Sequence, residues 1–368
     1  MNLAPFKLER YFAKYEFNTE YLLCSSDCEA MSIADLLALE DGSAEKFQHT
    51  WLGYTESQGH PALRKEIANI YETIQPEDIL VHTGAEEAIF LFMHAALKKN
   101  DHVIVHAPHY QSLSEVANAI GCETCVWEAR EENDWALDVN ELKNLIQLNT
   151  KAIILNTPHN PTGYLMTKSD FEAVNKFAQE NNLLLFCDEV YRESEYDPAL
   201  RLPAGCDMGG HAVSLGVTSK TYGLAGLRIG WIATKNKDIY NKMASLKDYT
   251  TICNSAPSEF LAEVALRNRQ KLVDRNLGII KTNLEIVDEL FTRHSSLFSW
   301  VRPNAGSMGF PKLLEGDIEA FCDTLVGVLL LPGTMYDDSK NHFRIGLGRK
   351  NLPQAVERLE EYLRHKQE

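Results

Sequence analysis

The sequence GVTSKTYGLAGLRIGW, residues 216–231, places a lysine and an arginine among small residues directly after an apolar run. A lysine that follows a buried strand could supply a neutral amine, because burial lowers the pKa of an ammonium group. Arg228 could hold a phosphate with its planar fork of donors. The alternative is a solvated loop lysine with a surface arginine, which the glycines and apolar residues that lead to Trp231 disfavour. The segment therefore predicts a reactive amine, Lys220, beside a phosphate site.

The sequence around this segment alternates short apolar runs with longer amphipathic stretches. The apolar runs are typical of buried strands and are DHVIVHA, CETCVW, TKAIILN, NNLLLFC and HAVSLGV. The amphipathic stretches have the spacing of helices and include AEEAIFLFMHAALKK, YQSLSEVANAIG and SDFEAVNKFAQENN. This alternation predicts an α/β fold with a mostly parallel sheet that helices cover on both faces.

The pattern changes after about residue 256. A long helical region precedes short strands, expected at LFSWV, SMGFPKL, VGVLLL and HFRIGL, and a closing helix. The N-terminal residues also lack strand–helix alternation, so we expect them to pack with the C-terminal part. These changes predict a large domain over residues 48–256 and a smaller α+β domain made of residues 1–47 and 257–368.

The composition argues against several classes of partner. The chain has 368 residues and a formal net charge of −16, so it lacks the basic surface that binders of nucleic acids or anionic membranes need. No apolar run approaches the roughly 18–20 residues of a membrane span, and charged residues interrupt the N-terminal stretch that a signal peptide would need. Cys122 and Cys125 lie on opposite faces of an expected strand, which disfavours a shared metal. We therefore expect a cytoplasmic protein without a nucleic-acid partner, a membrane partner or a metal site.

Two further segments supply ligand-binding groups at the ends of expected strands. In HTGAEEAIF, residues 82–90, a helix begins after a strand, and the N–H groups of such a start bind anions, with Gly84 allowing close approach. The alternative is an ordinary glycine turn before a helix. In IILNTPHNPTG, residues 153–163, Asn160 follows a strand at the edge where open α/β sheets bind ligands, although the segment could be only a turn.

A fourth segment, LLLFCDEVY, covers residues 183–191 and ends an apolar run with a carboxylate. Asp188 needs a cation or a donor when buried, and a protonated ring nitrogen of a cofactor would be such a partner, unless the residue only caps a helix. Tyr191 could project toward the same ligand. Together, the four segments fit a phosphorylated heteroaromatic aldehyde bound through a lysine, and pyridoxal 5'-phosphate meets that description.

With these segments in place, the chain resembles the class I/II aminotransferases, the fold-type I group of pyridoxal-phosphate enzymes. The family pattern K-x-x-G-L-x-G-x-R-x-G is met between Lys220 and Gly230, and the NPTG and D-x-x-Y motifs match in the same order. The resemblance extends from about Tyr54 to Arg349. It implies a large domain with a mostly parallel seven-stranded sheet between helices, a smaller α+β domain, and pyridoxal 5'-phosphate as the cofactor.

The resemblance also implies a role for each matching position. Lys220 would form the Schiff base with the cofactor and shuttle the substrate proton, and Asp188 would keep the pyridinium nitrogen protonated. Arg344 would hold the substrate α-carboxylate, with Asn160 nearby. The other implied cofactor contacts are Tyr191 and Asn160 at the 3-hydroxyl, Tyr110 on the ring face, and Gly84, Ala85, Glu86 and Arg228 at the phosphate.

Two segments and one departure from the family pattern complete the comparison. YTESQGHPALRKEIA resembles a segment whose tyrosine, here Tyr54, would reach the phosphate of a neighbouring subunit, which implies a homodimer with shared active sites. Many members have a phosphate-binding serine where this chain has Val217, so Ser219 is expected to supply the hydroxyl, with Thr218 in reserve. The segment YLLCSSDCEAMSIADLL is more similar to capreomycidine synthase-like members than to aspartate or aromatic aminotransferases.

Three functions are compatible with this reading. The first is an aminotransferase that moves an amino group from an L-amino acid to a 2-oxo acid. The second keeps the cofactor but performs β-elimination, replacement or cyclisation on a substituted amino acid, which the N-terminal resemblance favours. The third is a non-catalytic pyridoxal-phosphate sensor, which the lack of a basic region disfavours. The sequence does not identify the amino acid.

Overall fold

The structure, a computed structural model, describes residues 2–367. Their helices are α1 (Lys7–Tyr15), α2 (Ile33–Leu37), α3 (Ser43–Gln48), α4 (Pro61–Ala68), α5 (Gly84–Ala96), α6 (Ser112–Ile120), α7 (Leu142–Leu145), α8 (Lys168–Glu180), α9 (Lys237–Lys247), α10 (Ala256–Arg267), α11 (Arg269–Arg293), α12 (Ile318–Thr324) and α13 (Leu352–Gln367). Among these helices, none is long and apolar enough to cross a membrane.

The strands form one large and two small sheets. They are β1 (Ile79–His82), β2 (His102–Ala107), β3 (Glu123–Glu128), β4 (Thr150–Asn156), β5 (Leu184–Asp188), β6 (Ala212–Val217), β7 (Gly230–Ala233), β8 (Phe298–Ser299), β9 (Met308–Gly309), β10 (Lys312–Leu313), β11 (Leu331–Pro332) and β12 (Phe343–Gly346). The seven-stranded sheet has the order β1-β7-β6-β5-β4-β2-β3, and β7 pairs antiparallel with both of its neighbours while the other pairs are parallel. The predicted mostly parallel sheet is therefore confirmed.

Helices bury both faces of the large sheet. Every residue of β1, β2, β6 and β7 is buried. This is expected for strands of a sheet that helices cover on both faces, whose sequences are nearly continuous apolar runs. On one face, Phe92 of α5 packs against Phe186 of β5, with ring centroids 4.3 Å apart. On the other face, Phe171 and Val174 of α8 enter the core. Each such side chain contributes roughly 1.5–3 kcal/mol by burial, so the sheet is a rigid base for the groups at its edge.

The C-terminal part packs around α11 and the three-stranded sheet β11-β12-β9. Leu23 and Cys28 belong to its apolar cluster, and Tyr21 forms a bridge with Val328. The N-terminal residues therefore contact the C-terminal part, as expected, although the domain limits at residues 47/48 and 256/257 stay a prediction. The expected strand VGVLLL was wrong for most of its length, because only its last residue, Leu331, lies in a strand.

The sheet topology brings the motifs of the sequence to one edge. Because β1, β4, β5 and β6 are parallel, their carboxyl ends lie side by side, and β7 begins at the same edge. The residues at this edge are Gly84 after β1, Asp188 at the end of β5, Lys220 after β6, and Arg228 before β7. Ligands of open α/β sheets bind at such an edge.

Candidate active site

A cavity of about 420 Å³ opens at this edge of the sheet. Two of its walls come from the large sheet and from the start of α5, and α1 lies across it as a third wall. The predicted site residues on its surface are Ala85, Glu86, Tyr110, Asn160, Asp188, Tyr191, Ser219, Lys220, Arg228 and Arg344. Segments more than 300 residues apart in the chain thus meet in one space.

Lys220 presents its amine to this cavity. Its Nζ donates a hydrogen bond to Ser26 Oγ at 2.9 Å and lies 5.9 Å from the ring centroid of Tyr191. Burial lowers the pKa of the amine, and the negative charge of Asp27 opposes that shift. A lowered pKa increases the fraction of neutral amine, the form that attacks a carbonyl carbon.

Asp188 ends β5 with a side chain that is only 5% exposed. Burial raises the pKa of this carboxyl to about 7, although the backbone N–H of Val190 donates to Oδ1 at 3.2 Å. The described residues give the carboxylate no ion-pair partner. Its charged form is therefore favoured only when a cationic or donor group occupies the cavity beside it.

Two buried hydroxyls in the cavity wall lack partners. Ser219 Oγ and the Tyr191 hydroxyl make no hydrogen bond of normal geometry in the part of the chain that the structure describes. Thr218 differs, because its hydroxyl donates to the carbonyl oxygen of Ile229 at 3.1 Å inside the fold. Of the two hydroxyls considered from the sequence, Ser219 is therefore the one available to a ligand. Buried hydroxyls without partners are costly, so both indicate a polar ligand at this place.

Glycines shape a narrow space at the start of α5. A Cβ on Gly84, whose φ is +81°, would lie 2.4 Å from Nη2 of Arg228, so only glycine lets the guanidinium lie over the helix start. A Cβ on Gly230 would lie 2.8 Å from the backbone nitrogen of Ala85. The helix N-terminus and the arginine thus converge as an anion site. These features and the two free hydroxyls fit the phosphate and the 3-hydroxyl of pyridoxal 5'-phosphate.

Tyr110 and Glu86 border the space between the phosphate end and α1. The Tyr110 ring lies 5.0 Å from that of Phe6, and its hydroxyl donates to Glu9 at 3.5 Å. The Glu86 carboxylate accepts from Ser112 Oγ at 3.1 Å, and burial raises its pKa to about 7. Because the carboxylate of Glu86 is engaged with Ser112, its backbone N–H is the group that can face a phosphate.

Arg344, on β12, also lines the cavity. It is 2% exposed, and its Nε donates to the carbonyl oxygen of Cys24 at 2.8 Å. Nη1 donates to the Tyr336 hydroxyl and to Asn160 Oδ1, the latter at 3.3 Å. No carboxylate of the described residues forms an ion pair with it. A buried guanidinium without an anion is suited to the carboxylate of a substrate.

Several residues of the cavity wall were not predicted from the sequence, namely Glu9, Glu16, Ser26 and Asp27, nor was Tyr336, which contacts Arg344 and Asn160 behind the wall. Ser26 and Asp27 lie in the segment that resembles capreomycidine synthase-like members, but no motif marked them, and only the fold brings these residues to the sheet edge. Tyr54, in contrast, was predicted as a site residue but lies away from the cavity. It is 90% exposed and does not line the cavity, so a single chain does not bring it to the other predicted residues.

Comparisons with known proteins agree with this geometry. The sequence model of the family described as aminotransferase class I and II matches residues 21–359. An aspartate aminotransferase from Bacillus sp. (strain YM-2) is 26% identical over 345 residues, which cover 88% of this chain and 87% of that protein. A capreomycidine synthase from Streptomyces vinaceus is 26% identical over 346 residues, which cover 92% of this chain and 88% of that protein.

Solved structures give the same result. A PLP-dependent aminotransferase from Streptococcus suis 89-1591 matches with a TM-score of 0.93 and 31% identity, covering 99% of both chains. The PLP-dependent cyclase OrfR matches with a TM-score of 0.92 and 27% identity, covering 100% of this chain and 98% of that one. The predictions of family, fold and cofactor are confirmed. This chain therefore belongs to the class I and II aminotransferases and is a pyridoxal-phosphate-dependent enzyme of fold type I.

Proposed function

We propose that this protein transfers an amino group from an L-amino acid to a 2-oxo acid, with Lys220 as the catalytic amine. The observation that carries the proposal is that Lys220 and the anion-free guanidinium of Arg344 face one cavity. An α-amino acid has a carboxylate and an amine on the same carbon. The pair therefore matches the two groups that every such substrate shares.

Bound pyridoxal phosphate supplies an electron sink that stabilises negative charge at the substrate Cα. In the proposed reaction, Arg344 binds the α-carboxylate with a geometry that Asn160 and Tyr336 fix through their hydrogen bonds. With the cofactor bound, Lys220 Nζ would accept the proton from the substrate Cα and hold it for return. Burial favours its neutral form, which can accept that proton.

The other proposed contacts hold the cofactor. The Asp188 carboxylate would hold the protonated ring nitrogen, and Tyr191 and Asn160 would bind the 3-hydroxyl. Tyr110 covers one face of the ring. The phosphate is bound by Ser219, Arg228, Gly84, Ala85 and Glu86, the last three through the helix start.

A second candidate function is β-elimination, replacement or cyclisation on a substituted amino acid with the same cofactor. The similarity to a capreomycidine synthase and to the cyclase OrfR favours it. In that reaction Lys220 would take the same Cα proton, and a leaving group on the β-carbon would depart.

The experiment that separates the two candidates measures products with and without an acceptor. Purified protein and pyridoxal phosphate are incubated with a pool of L-amino acids, with or without a 2-oxo acid, and new amino acids, 2-oxo acids and ammonia are quantified. A new amino acid that requires the acceptor, and is lost in Lys220→Ala, supports transamination. Ammonia and a 2-oxo acid formed without an acceptor support elimination. If no amino acid gives either of these sets of products, the proposed function is contradicted.

We also propose a homodimer. Trp51, Leu52 and Tyr54 are exposed and form the 51–54 patch, which a single chain leaves uncovered. Thr55 Oγ1 donates to the carbonyl oxygen of Asn254 at 3.3 Å, and Thr83, just before Gly84, donates to Asn254 Oδ1 at 3.4 Å. The patch therefore adjoins the segment that leads to the phosphate space, which supports a role for Tyr54 at the phosphate of a second copy.

A further inference from the structure

The wall of the cavity formed by the N-terminal residues is acidic. Glu9 and Glu16 both face the cavity from α1 and the turn after it, together with Phe12 between them, because residues three and four apart share a helix face. Asp27 faces the same space from the segment that also carries Ser26. Three carboxylates from two segments thus line one side of the substrate cavity.

These carboxylates have few cations of their own. Asp27 forms an ion pair with Arg349, with Nη2 3.0 Å from both carboxylate oxygens. Glu9 and Glu16 form no ion pair with any described residue. Burial raises the pKa of Glu16, and the neighbouring charges of Asp27 and Glu9 raise it further. Arg349 opposes this rise, but of the three carboxylates only Asp27 has an ion-pair partner among the described residues.

The acidic wall belongs to the same space as the groups that bind the common part of a substrate. The guanidinium of Arg344 lies 5.9 Å from the ring centroid of Phe12, and the Lys220 amine is bonded to Ser26, next to Asp27. Asp27 and Glu9 both act on the charge of that amine. With the α-carboxylate at Arg344 and the α-amine at Lys220, the substrate side chain is left to extend along this wall.

We propose that the amino-donor substrate is an L-amino acid whose side chain ends in a cation, an ammonium or a guanidinium, which Glu9, Glu16 and Asp27 bind. The inference rests on the proposed function, because it takes its orientation from Arg344 and Lys220. The buried hydroxyl of Tyr191 makes no hydrogen bond of normal geometry among the described residues, and the buried guanidinium of Arg344 has no ion-pair partner among them, so both indicate a polar ligand in this cavity. A second carboxylate on the substrate would instead meet like charges, which disfavours aspartate and glutamate.

Isosteric pairs of amino acids test the charge directly. L-arginine is compared with L-citrulline, and L-lysine with L-2-aminoheptanoate, which has a methyl group in place of the ammonium, by the kcat/KM for consumption of the donor, with L-aspartate as the acidic member. We expect each cationic member to exceed its neutral isostere by about tenfold or more, since a charge-assisted hydrogen bond is worth about 1.5–3 kcal/mol. The better of arginine and lysine identifies the cation.

Variants assign the effect to the wall. Glu16→Gln is expected to reduce the kcat/KM for the cationic donor about tenfold and to leave that of the neutral isostere nearly unchanged. Glu20→Gln removes an exposed carboxylate that does not line the cavity and serves as the matched control. Equal effects on both donors would show a structural role only and would overturn the assignment to Glu16.

A binding measurement distinguishes the case in which the acidic subsite is wrong from the case in which the proposed function is wrong. Calorimetry on the cofactor-loaded Lys220→Ala protein measures affinity for the same pairs without turnover. Selective binding of the cation without any reaction in the wild type would sink the proposed function and keep the acidic subsite. Turnover with no preference within the pairs, or with a preference for L-aspartate, would overturn the subsite and leave the proposed function intact.

Discussion

At the scale of single residues, the groups without partners are the most informative. Ser219 Oγ is buried and has no hydrogen-bond partner among residues 2–367, while the hydroxyl of its neighbour Thr218 donates to a carbonyl oxygen inside the fold. The family pattern leaves both residues open as replacements for a serine at Val217. Only the direction of each hydroxyl distinguishes them, and a sequence does not carry that direction. The structure therefore adds a specific prediction at Ser219.

The first prediction concerns the Ser219→Ala variant. We expect its Kd for pyridoxal phosphate to rise about tenfold, since a hydrogen bond to a charged phosphate is lost. The Tm of the cofactor-free variant should equal or exceed that of the wild type, because the removed hydroxyl has no partner there. Fluorescence titration measures the Kd and a thermal melt measures the Tm. An unchanged Kd would exclude Ser219 from the phosphate site.

The second prediction concerns pH and Asp188. Burial raises the pKa of this carboxyl to about 7, whereas an unfolded aspartate titrates near 4. Between about pH 4 and pH 7 the unfolded state thus binds fewer protons than the folded state, so this group lowers the stability of the cofactor-free protein as the pH rises. A cationic ring nitrogen beside the carboxylate would relieve that penalty.

Thermal melts with and without pyridoxal phosphate therefore should show a larger gain in Tm at about pH 8 than at about pH 5.5. Burial also raises the pKa of Glu86 to about 7, so this carboxyl affects stability in the same direction as Asp188. The matched variant is therefore Asp188→Asn, which removes only the contribution of Asp188. This variant should lose much of the difference between the two pH values. An equal gain in Tm at both pH values would contradict the assigned role of Asp188.

At the scale of elements, the contact between β7 and the start of α5 shapes the phosphate space. In the Gly230→Ala variant, the new Cβ would lie 2.7–2.9 Å from backbone atoms of Gly84 and Ala85, which cannot rotate away. We expect a loss of about 1–3 kcal/mol in the free energy of unfolding and a weaker affinity for pyridoxal phosphate. Urea unfolding and cofactor titration measure the two effects.

Gly226 provides the matched control for this third prediction. It lies in the same glycine-rich segment, but a Cβ there would meet no atom within 4 Å. Gly226→Ala should therefore change the free energy of unfolding by less than about 0.5 kcal/mol. Similar losses in both variants would indicate that the segment needs glycine for flexibility rather than for the close approach of β7 to α5.

The elements also show how far the sequence was informative. The strands β2, β4, β5 and β6 were predicted because each is a continuous apolar run between polar residues. The antiparallel β7 was not, because its four residues follow a glycine-rich loop without a pattern of their own. VGVLLL was misassigned because a run can be apolar for burial without forming a strand, and here Val328, Leu329 and Leu330 are buried with only an isolated bridge from Val328 to Tyr21.

The same limit applies to the candidate site. Motifs near the large sheet, such as those around Asp188 and Lys220, could be found because each follows its strand directly. Glu9 and Glu16 have no local pattern, and they reach the cavity only because the N-terminal segment folds over the sheet edge. Two of the three residues that we expect to select the substrate side chain therefore lie where no sequence pattern indicated a site, and the third, Asp27, lies in a segment that only a resemblance marked.

At the scale of the whole molecule, the exposed 51–54 patch leads to the last prediction. Large apolar side chains that a single chain exposes together mark a contact surface, and here they adjoin the phosphate space. Introducing a charge with Leu52→Asp should convert the proposed dimer to a monomer, because a buried carboxylate without a partner is costly at an apolar interface. Light scattering after size-exclusion chromatography measures the mass of each species. Leu148→Asp is the control, since Leu148 is also exposed but lies outside the patch.

The dimer prediction also concerns the cofactor. If Tyr54 reaches the phosphate of the partner subunit, the monomeric Leu52→Asp variant should bind pyridoxal phosphate more weakly. Tyr54→Phe should weaken binding while leaving the dimer intact, because it removes one hydroxyl and keeps the apolar ring. A dimer that persists in Leu52→Asp would place the interface elsewhere on the surface. A monomeric wild type with full cofactor affinity would show that the residues of one chain suffice to hold the phosphate.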